Sequence, residues 1–89
     1  MNMAVLPQSV EDVLFATRGD MTMEEFAGEL GIKLKTLEGV MYDGKKITAA
    51  LDRAYCNYID VFPGYLLWVE QNYNRALKAY LDSYNETWR

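Results

Sequence analysis

Residues 21–32 read MTMEEFAGELGI, and they contain the clearest helix boundaries in the chain. Thr22 and Glu25 have the spacing of a capping box, in which each side chain accepts a hydrogen bond from the other residue's backbone amide. Gly31 then ends the helix, because glycine readily adopts the left-handed conformation that follows a last turn. The apolar face between these boundaries consists of Phe26, Ala27 and Leu30.

Four other segments also have helical periodicity. Their apolar residues recur at intervals of three and four, and not at the interval of two that marks a strand. The predicted helices span 9–18, 34–42, 47–62 and 65–87, and Pro63 closes the third of these. The sequence therefore predicts an all-α chain of five helices, whose central core residues are Phe26, Ala27, Leu30, Leu37, Val40 and Leu51.

Composition excludes several classes of function. The 89 residues include no histidine and one cysteine, Cys56, so the commonest general base, the commonest metal ligand and an internal disulfide are all missing. Cys56 falls within an amphipathic helix and has no histidine to activate it, which favours a structural thiol. We predict no enzymatic activity, no catalytic or metal site and no cofactor, and we expect a cytoplasmic protein without a membrane segment.

Charge is distributed unevenly along the chain. Residues 33–46 carry four lysines and two carboxylates, a net charge of +2. The other residues carry five basic and eleven acidic side chains, a net charge of −6. The basic island follows the glycine turn directly, and an acidic remainder would orient such a protein on DNA without preventing binding.

The pattern over residues 9–63 resembles the lambda-repressor-like helix-turn-helix of the Xre family. The likeness rests on residues 21–32, on Lys33-Leu-Lys-Thr-Leu37 and on Gly44-Lys-Lys46. It implies a helix-turn-helix domain over residues 1–63, with residues 64–89 forming a C-terminal aromatic helix packed against it as one compact unit.

The resemblance also implies a set of DNA contacts. In this family the third helix lies in the major groove and its first residues contact base edges. Lys35 would reach a guanine edge, Thr36 a phosphate or a thymine methyl group, and Lys45 and Lys46 backbone phosphates. The whole implied double-stranded-DNA-binding set is Lys33, Leu34, Lys35, Thr36, Glu38, Gly39, Lys45 and Lys46.

The long fifth helix allows two interpretations. One is an interface with a second copy of the chain or with another protein, because tyrosine and tryptophan are enriched at interfaces. The other is a helix folded back over its own bundle. The candidate interface residues are Leu66, Val69, Tyr73, Leu77, Tyr80, Tyr84 and Trp88.

Two functions follow as hypotheses. The first is a sequence-specific transcriptional regulator that binds DNA as a homodimer. The alternative is a small phage-encoded protein that uses the same scaffold to bind and inhibit a host protein or a defence complex. The basic island favours the first, and the acidic surface with its aromatic helix favours the second.

Overall fold

The structure, a computed structural model, describes residues 7–87, with side chains described as far as residue 82. Over these residues the backbone forms five helices: α1 (Val10–Arg18), α2 (Met23–Leu30), α3 (Leu34–Met41), α4 (Ala49–Ile59) and α5 (Tyr65–Thr87). The prediction of an all-α chain with five helices is confirmed. No helix within this range is both long enough and apolar enough to cross a membrane.

Three helices begin at a hydroxyl cap. Ser9, Thr22 and Thr48 each accept a hydrogen bond from the backbone amide three residues further on, at 3.1–3.2 Å. The caps of α1 and α2 are complete capping boxes, since Asp12 and Glu25 accept from the cap residues' own amides. These bonds satisfy amides that a helix leaves unpaired at its start, so the local sequence determines where each helix begins.

The end of α4 corrects the sequence-based boundary. The helix stops at Ile59 and not at Phe62, because Asp60 adopts a left-handed conformation with φ 59° and ψ 54°. Aspartate tolerates this conformation better than most residues other than glycine. Phe62 consequently lies in the connection to α5, and 63% of its surface is exposed.

One hydrophobic core joins all five helices. The six predicted core residues, Phe26, Ala27, Leu30, Leu37, Val40 and Leu51, are all buried. Leu66 and Val69 from the start of α5 belong to the same cluster. The first part of α5 is therefore a component of the bundle and not a separate appendage.

Asp52 fastens α5 to α4 from inside this core. It is the one charged side chain buried among the described residues. Its carboxylate accepts hydrogen bonds from the backbone amides of Gly64 at 2.7 Å, Leu66 at 2.8 Å and Leu67 at 3.3 Å. These amides lie at the positive end of α5, where a carboxylate is stabilising. Gly64 has no side chain to cap the helix, and Asp52 supplies that cap from twelve residues upstream.

The second half of α5 leaves the cover of the bundle. Tyr73 and Leu77 are half-buried, and every side chain from residue 78 to residue 82 is exposed. The molecule is correspondingly elongated, with extents of 49, 24 and 22 Å. This part of α5 presents two large apolar side chains, Tyr80 and Leu81, to solvent.

Candidate nucleic-acid interface

A tight turn of three residues sets the angle between α2 and α3. Gly31 takes the left-handed conformation, with φ 74° and ψ 32°, and its amide donates to Ala27 O at 2.9 Å. The amide of Ile32 donates to the same carbonyl at 3.1 Å. Lys33 then forms the N-cap of α3. The short turn leaves α3 little freedom relative to α2.

The two faces of α3 have opposite character. Leu37, Val40 and Met41 are buried and hold the helix against the core. The exposed face carries the predicted readout residues Lys33, Lys35, Thr36 and Glu38. The structure therefore brings these four together at a solvent-facing surface, around the first turns of the helix.

Two of the sequence-predicted DNA contacts require correction. Leu34 is half-buried and packs against the core, so only part of its side chain is open to a partner. Gly39 is buried, because the side chain of Lys45 crosses it. A Cβ atom built on Gly39 would lie 3.0 Å from Lys45 Cδ. Gly39 therefore supports the stem of Lys45, and its own surface is buried in the free chain.

The two loop lysines diverge. Lys45 is anchored to α3, since its amide donates to Gly39 O at 3.0 Å and its stem lies over that residue. Lys46 instead lines a groove of about 260 Å³ between the start of α1 and the middle of α5. Glu11 and Glu70 line the same groove. Lys45 therefore lies beside the exposed face of α3, whereas Lys46 lies in the α1–α5 groove. The sequence analysis had predicted the same phosphate-binding role for both.

A second cation lies beside the C-terminal end of α3. Arg18 ends α1, and its guanidinium carbon lies 5.3 Å from the centre of the Phe15 ring. Phe15 meets Tyr42 edge to face, with ring centres 5.4 Å apart. Arg18 Nη1 donates to the Tyr42 hydroxyl at 3.5 Å. The spacing of Phe15 and Arg18 on one helix face could have suggested their contact, but no local signal connects either residue to Tyr42.

The candidate interface on α5 also changes. Leu66 and Val69 are buried in the chain's own core, so a partner cannot reach them. Tyr73 and Leu77 are half-buried, and Tyr80 is 42% exposed. The predictions for the Tyr84 side chain and for Trp88 lie outside the described residues. The first half of α5 therefore folds back on the bundle and residues 78–82 are exposed, while the interface with a partner stays a prediction.

An aromatic corner joins α4 to α5 and was not singled out by the sequence pattern. Phe62 and Tyr65 meet edge to face at 5.9 Å, and Tyr65 stacks on Trp68 at 6.3 Å. More than half of the surface of Phe62 and of Trp68 is exposed. We call these three residues the aromatic corner, and they belong to a different region of the chain from the α3 lysines.

Tyr55 and Cys56 are buried side chains of α4 that contribute to the packing of the bundle. The Thr17 hydroxyl donates to Val13 O at 2.9 Å, so the hydrogen in its 2.7 Å bond with Tyr55 comes from the tyrosine. Burial of the hydroxyl raises the pKa of Tyr55, because desolvation disfavours the charged phenolate. The buried Cys56 thiol donates to Asp52 Oδ1 at 3.6 Å. Both side chains are thus buried and hydrogen-bonded within the bundle.

No protein-family model, curated protein or solved structure matches this chain. A function for its surfaces is therefore inferred from their own residues. Three surfaces of the chain could bind a partner: the basic face of α3, the aromatic corner and the uncovered half of α5.

Proposed function

We propose that this chain is a sequence-specific DNA-binding transcriptional regulator of the Xre-like helix-turn-helix type, which binds as a homodimer. The observation that carries the proposal is the exposed face of α3. Lys35 and Thr36 stand in solvent in its first turn, while Leu37 and Val40 fix the opposite face to the core. The first residues of a recognition helix are the ones that contact base edges in the major groove.

Each residue on this face has a distinct role in the proposal. Lys35 donates to the O6 and N7 acceptors of a guanine, and Thr36 contacts a thymine methyl group or a phosphate. Lys33 and Lys45 neutralise phosphates on either side. Glu38 accepts from the amino group of a cytosine, since a carboxylate in the major groove selects that donor.

The charge distribution supports the same orientation. The segment that contains α3 and its following loop has a net charge of +2 within a chain of net charge −4. A DNA duplex attracts this segment and repels the acidic remainder, including the exposed glutamates of α2. The protein would therefore approach DNA with α3 leading.

The proposal is tested by fluorescence anisotropy with labelled DNA from upstream of the gene and a scrambled duplex, across a salt series. We expect selective binding that weakens steeply as salt rises, because bound cations displace counterions from the phosphates. The double variant Lys35→Ala/Lys45→Ala should bind at least about 100-fold more weakly with unchanged helicity, since it loses one base contact and one phosphate contact.

The matched control is Arg75→Ala/Lys78→Ala. It removes the same two positive charges from exposed positions on α5. We expect this control to retain most of the wild-type affinity. Equal losses in both double variants would mean that net charge alone governs binding, and absence of binding at about 50 mM salt would refute the DNA function.

The aromatic corner favours a second candidate function. Exposed Phe62 and Trp68 form the kind of surface that becomes the buried centre of a protein interface. In this alternative the chain is a small phage-encoded protein that binds and inhibits a host protein or a defence complex. A pull-down distinguishes the two functions, because Trp68→Ser would abolish capture of such a partner and leave DNA binding intact.

A further inference from the structure

We propose that Arg18 and Tyr42 together bind a phosphate of the DNA backbone at the C-terminal end of α3. The inference rests on the proposed DNA-binding function and adds a contact that the helix-turn-helix pattern of the sequence did not supply. It assigns a role to Arg18, a residue of α1 that lies outside the basic island.

The position of Tyr42 places the pair in line with the readout face. Lys35 and Tyr42 are separated by seven residues, which is close to two helical turns, so they project from the same side of α3. Gly39 lies between them on that side, and the Lys45 stem covers it. Lys35, Lys45 and the Arg18–Tyr42 pair thus form a track of cations along the exposed side of the helix.

Arg18 is held in place before any ligand arrives. Its guanidinium lies over the Phe15 ring, and Phe15 packs against Tyr42, so three side chains fix one another. Such cation–π contact restrains a side chain that would otherwise carry large rotamer entropy. Pre-organisation of this kind lowers the ordering cost of binding an anion.

The pair also has unused donors. Arginine has five N–H groups, and one bond from Nη1 goes to the Tyr42 hydroxyl at 3.5 Å. Arg18 Nε is buried and therefore closed to a ligand, so the donors that remain for an anion are the other guanidinium N–H groups. Because the Tyr42 oxygen accepts from Arg18, its own hydrogen remains available to donate. A phosphate can accept from this hydroxyl and from the guanidinium at once.

Nearby carboxylates limit the choice of anion. Glu38 is on the exposed face of α3, and Asp43 follows Tyr42 directly. A small free anion would gain little at such a site, whereas a DNA strand already held by Lys35 and Lys45 presents its next phosphate at high effective concentration. The structure therefore favours a duplex backbone over isolated phosphate.

The test measures the salt dependence of binding for wild type, Arg18→Gln and Tyr42→Phe on the scrambled duplex and on the upstream duplex. Arg18→Gln should weaken binding to both duplexes by about tenfold and reduce the slope of log Kobs against log salt by about 0.9, because one phosphate contact is lost. Tyr42→Phe should weaken binding several-fold without changing that slope, since it removes a neutral donor and keeps the ring on Phe15.

Arg75→Gln is the matched control, because it makes the same charge change at an exposed position on α5. It should leave both affinity and slope near wild type. Thermal unfolding of each variant shows whether a loss of affinity reflects a loss of folding.

The outcomes separate this proposal from the function on which it rests. If wild type binds DNA and the Lys35→Ala/Lys45→Ala variant fails to bind, but Arg18→Gln retains the wild-type slope, the Arg18–Tyr42 contact is wrong and the DNA function stands. If inorganic phosphate protects wild type from unfolding, does not protect the Arg18→Gln variant, and DNA does not bind, both proposals fail as stated. Absence of all DNA binding by wild type overturns both.

Discussion

Gly39 and Gly28 both lie inside helices, but only Gly39 has another residue's side chain packed over it. Replacing either glycine by alanine gains up to about 1 kcal/mol of helix propensity. At Gly39 the new methyl group displaces Lys45, which lies 3.0 Å from that position. We expect Gly39→Ala to lower DNA affinity several-fold while its stability stays at or above that of wild type.

Gly28→Ala is the control for that experiment. Gly28 is exposed and has nothing within 4 Å of an added Cβ. The variant should therefore be more stable by up to about 1 kcal/mol and should bind DNA as wild type does. Chemical denaturation and anisotropy measure the two effects. Unchanged DNA affinity in Gly39→Ala would show that Lys45 can bind DNA without packing its stem against Gly39.

The raised pKa of Tyr55 predicts how the free energy of unfolding changes with pH. Its pKa is raised above the ordinary value of 10.0, chiefly by burial. The neutral hydroxyl therefore stabilises the folded chain fully below pH 10.0, and this contribution is lost as the pH rises through the higher folded pKa. The free energy of unfolding should fall more between about pH 8 and about pH 11 in wild type than in Tyr55→Phe. Equal pH dependence in the two proteins would contradict the shift.

At the scale of the helix, α5 depends on one carboxylate from another helix. Asp52→Asn keeps a single acceptor oxygen, loses the charge and turns an amide group toward backbone donors. The hydrogen bonds to the Gly64, Leu66 and Leu67 amides weaken together as a result. We expect the free energy of unfolding to fall by about 2 kcal/mol, since a helix cap and a buried charged acceptor are lost at once.

The control for this change is Asp60→Asn at the end of α4. Asp60 is exposed and left-handed, and asparagine accepts that conformation equally well. The control should alter stability by no more than about 0.5 kcal/mol. If urea denaturation gave the two variants the same stability, the carboxylate of Asp52 would not be the cap that the geometry indicates.

At the scale of the whole molecule, the projecting half of α5 is the region through which we expect two copies to associate. We expect wild type to form a dimer through this region, and Tyr80→Glu to form monomers, because a buried carboxylate at such an interface is costly. Ala79→Glu introduces the same charge at the adjacent exposed position, about 100° around the helix. It should remain a dimer in sedimentation analysis. A monomeric wild-type protein, or dissociation of both variants, would contradict this interface.

The sequence determined the parts of this protein that depend on neighbours three or four residues apart. The helix start at Ser9, the capping box at Thr22, the glycine turn at Gly31 and the apolar spacing of Phe26 to Leu30 were all present in short segments. Such signals need no knowledge of the rest of the chain, because the groups that form each bond lie within one helical turn. They were sufficient to predict five helices and the six central core residues.

Tertiary packing decided what the remaining residues do. Asp52 became a helix cap because Gly64 and Leu66 were brought to it, and Lys45 and Lys46 diverged because one met Gly39 and the other met the α1–α5 groove. Arg18 reached Tyr42 across 24 residues of sequence. Each of these contacts joins residues that are too far apart in sequence for helical periodicity to relate them. The positions of these charged groups therefore depend on the tertiary fold.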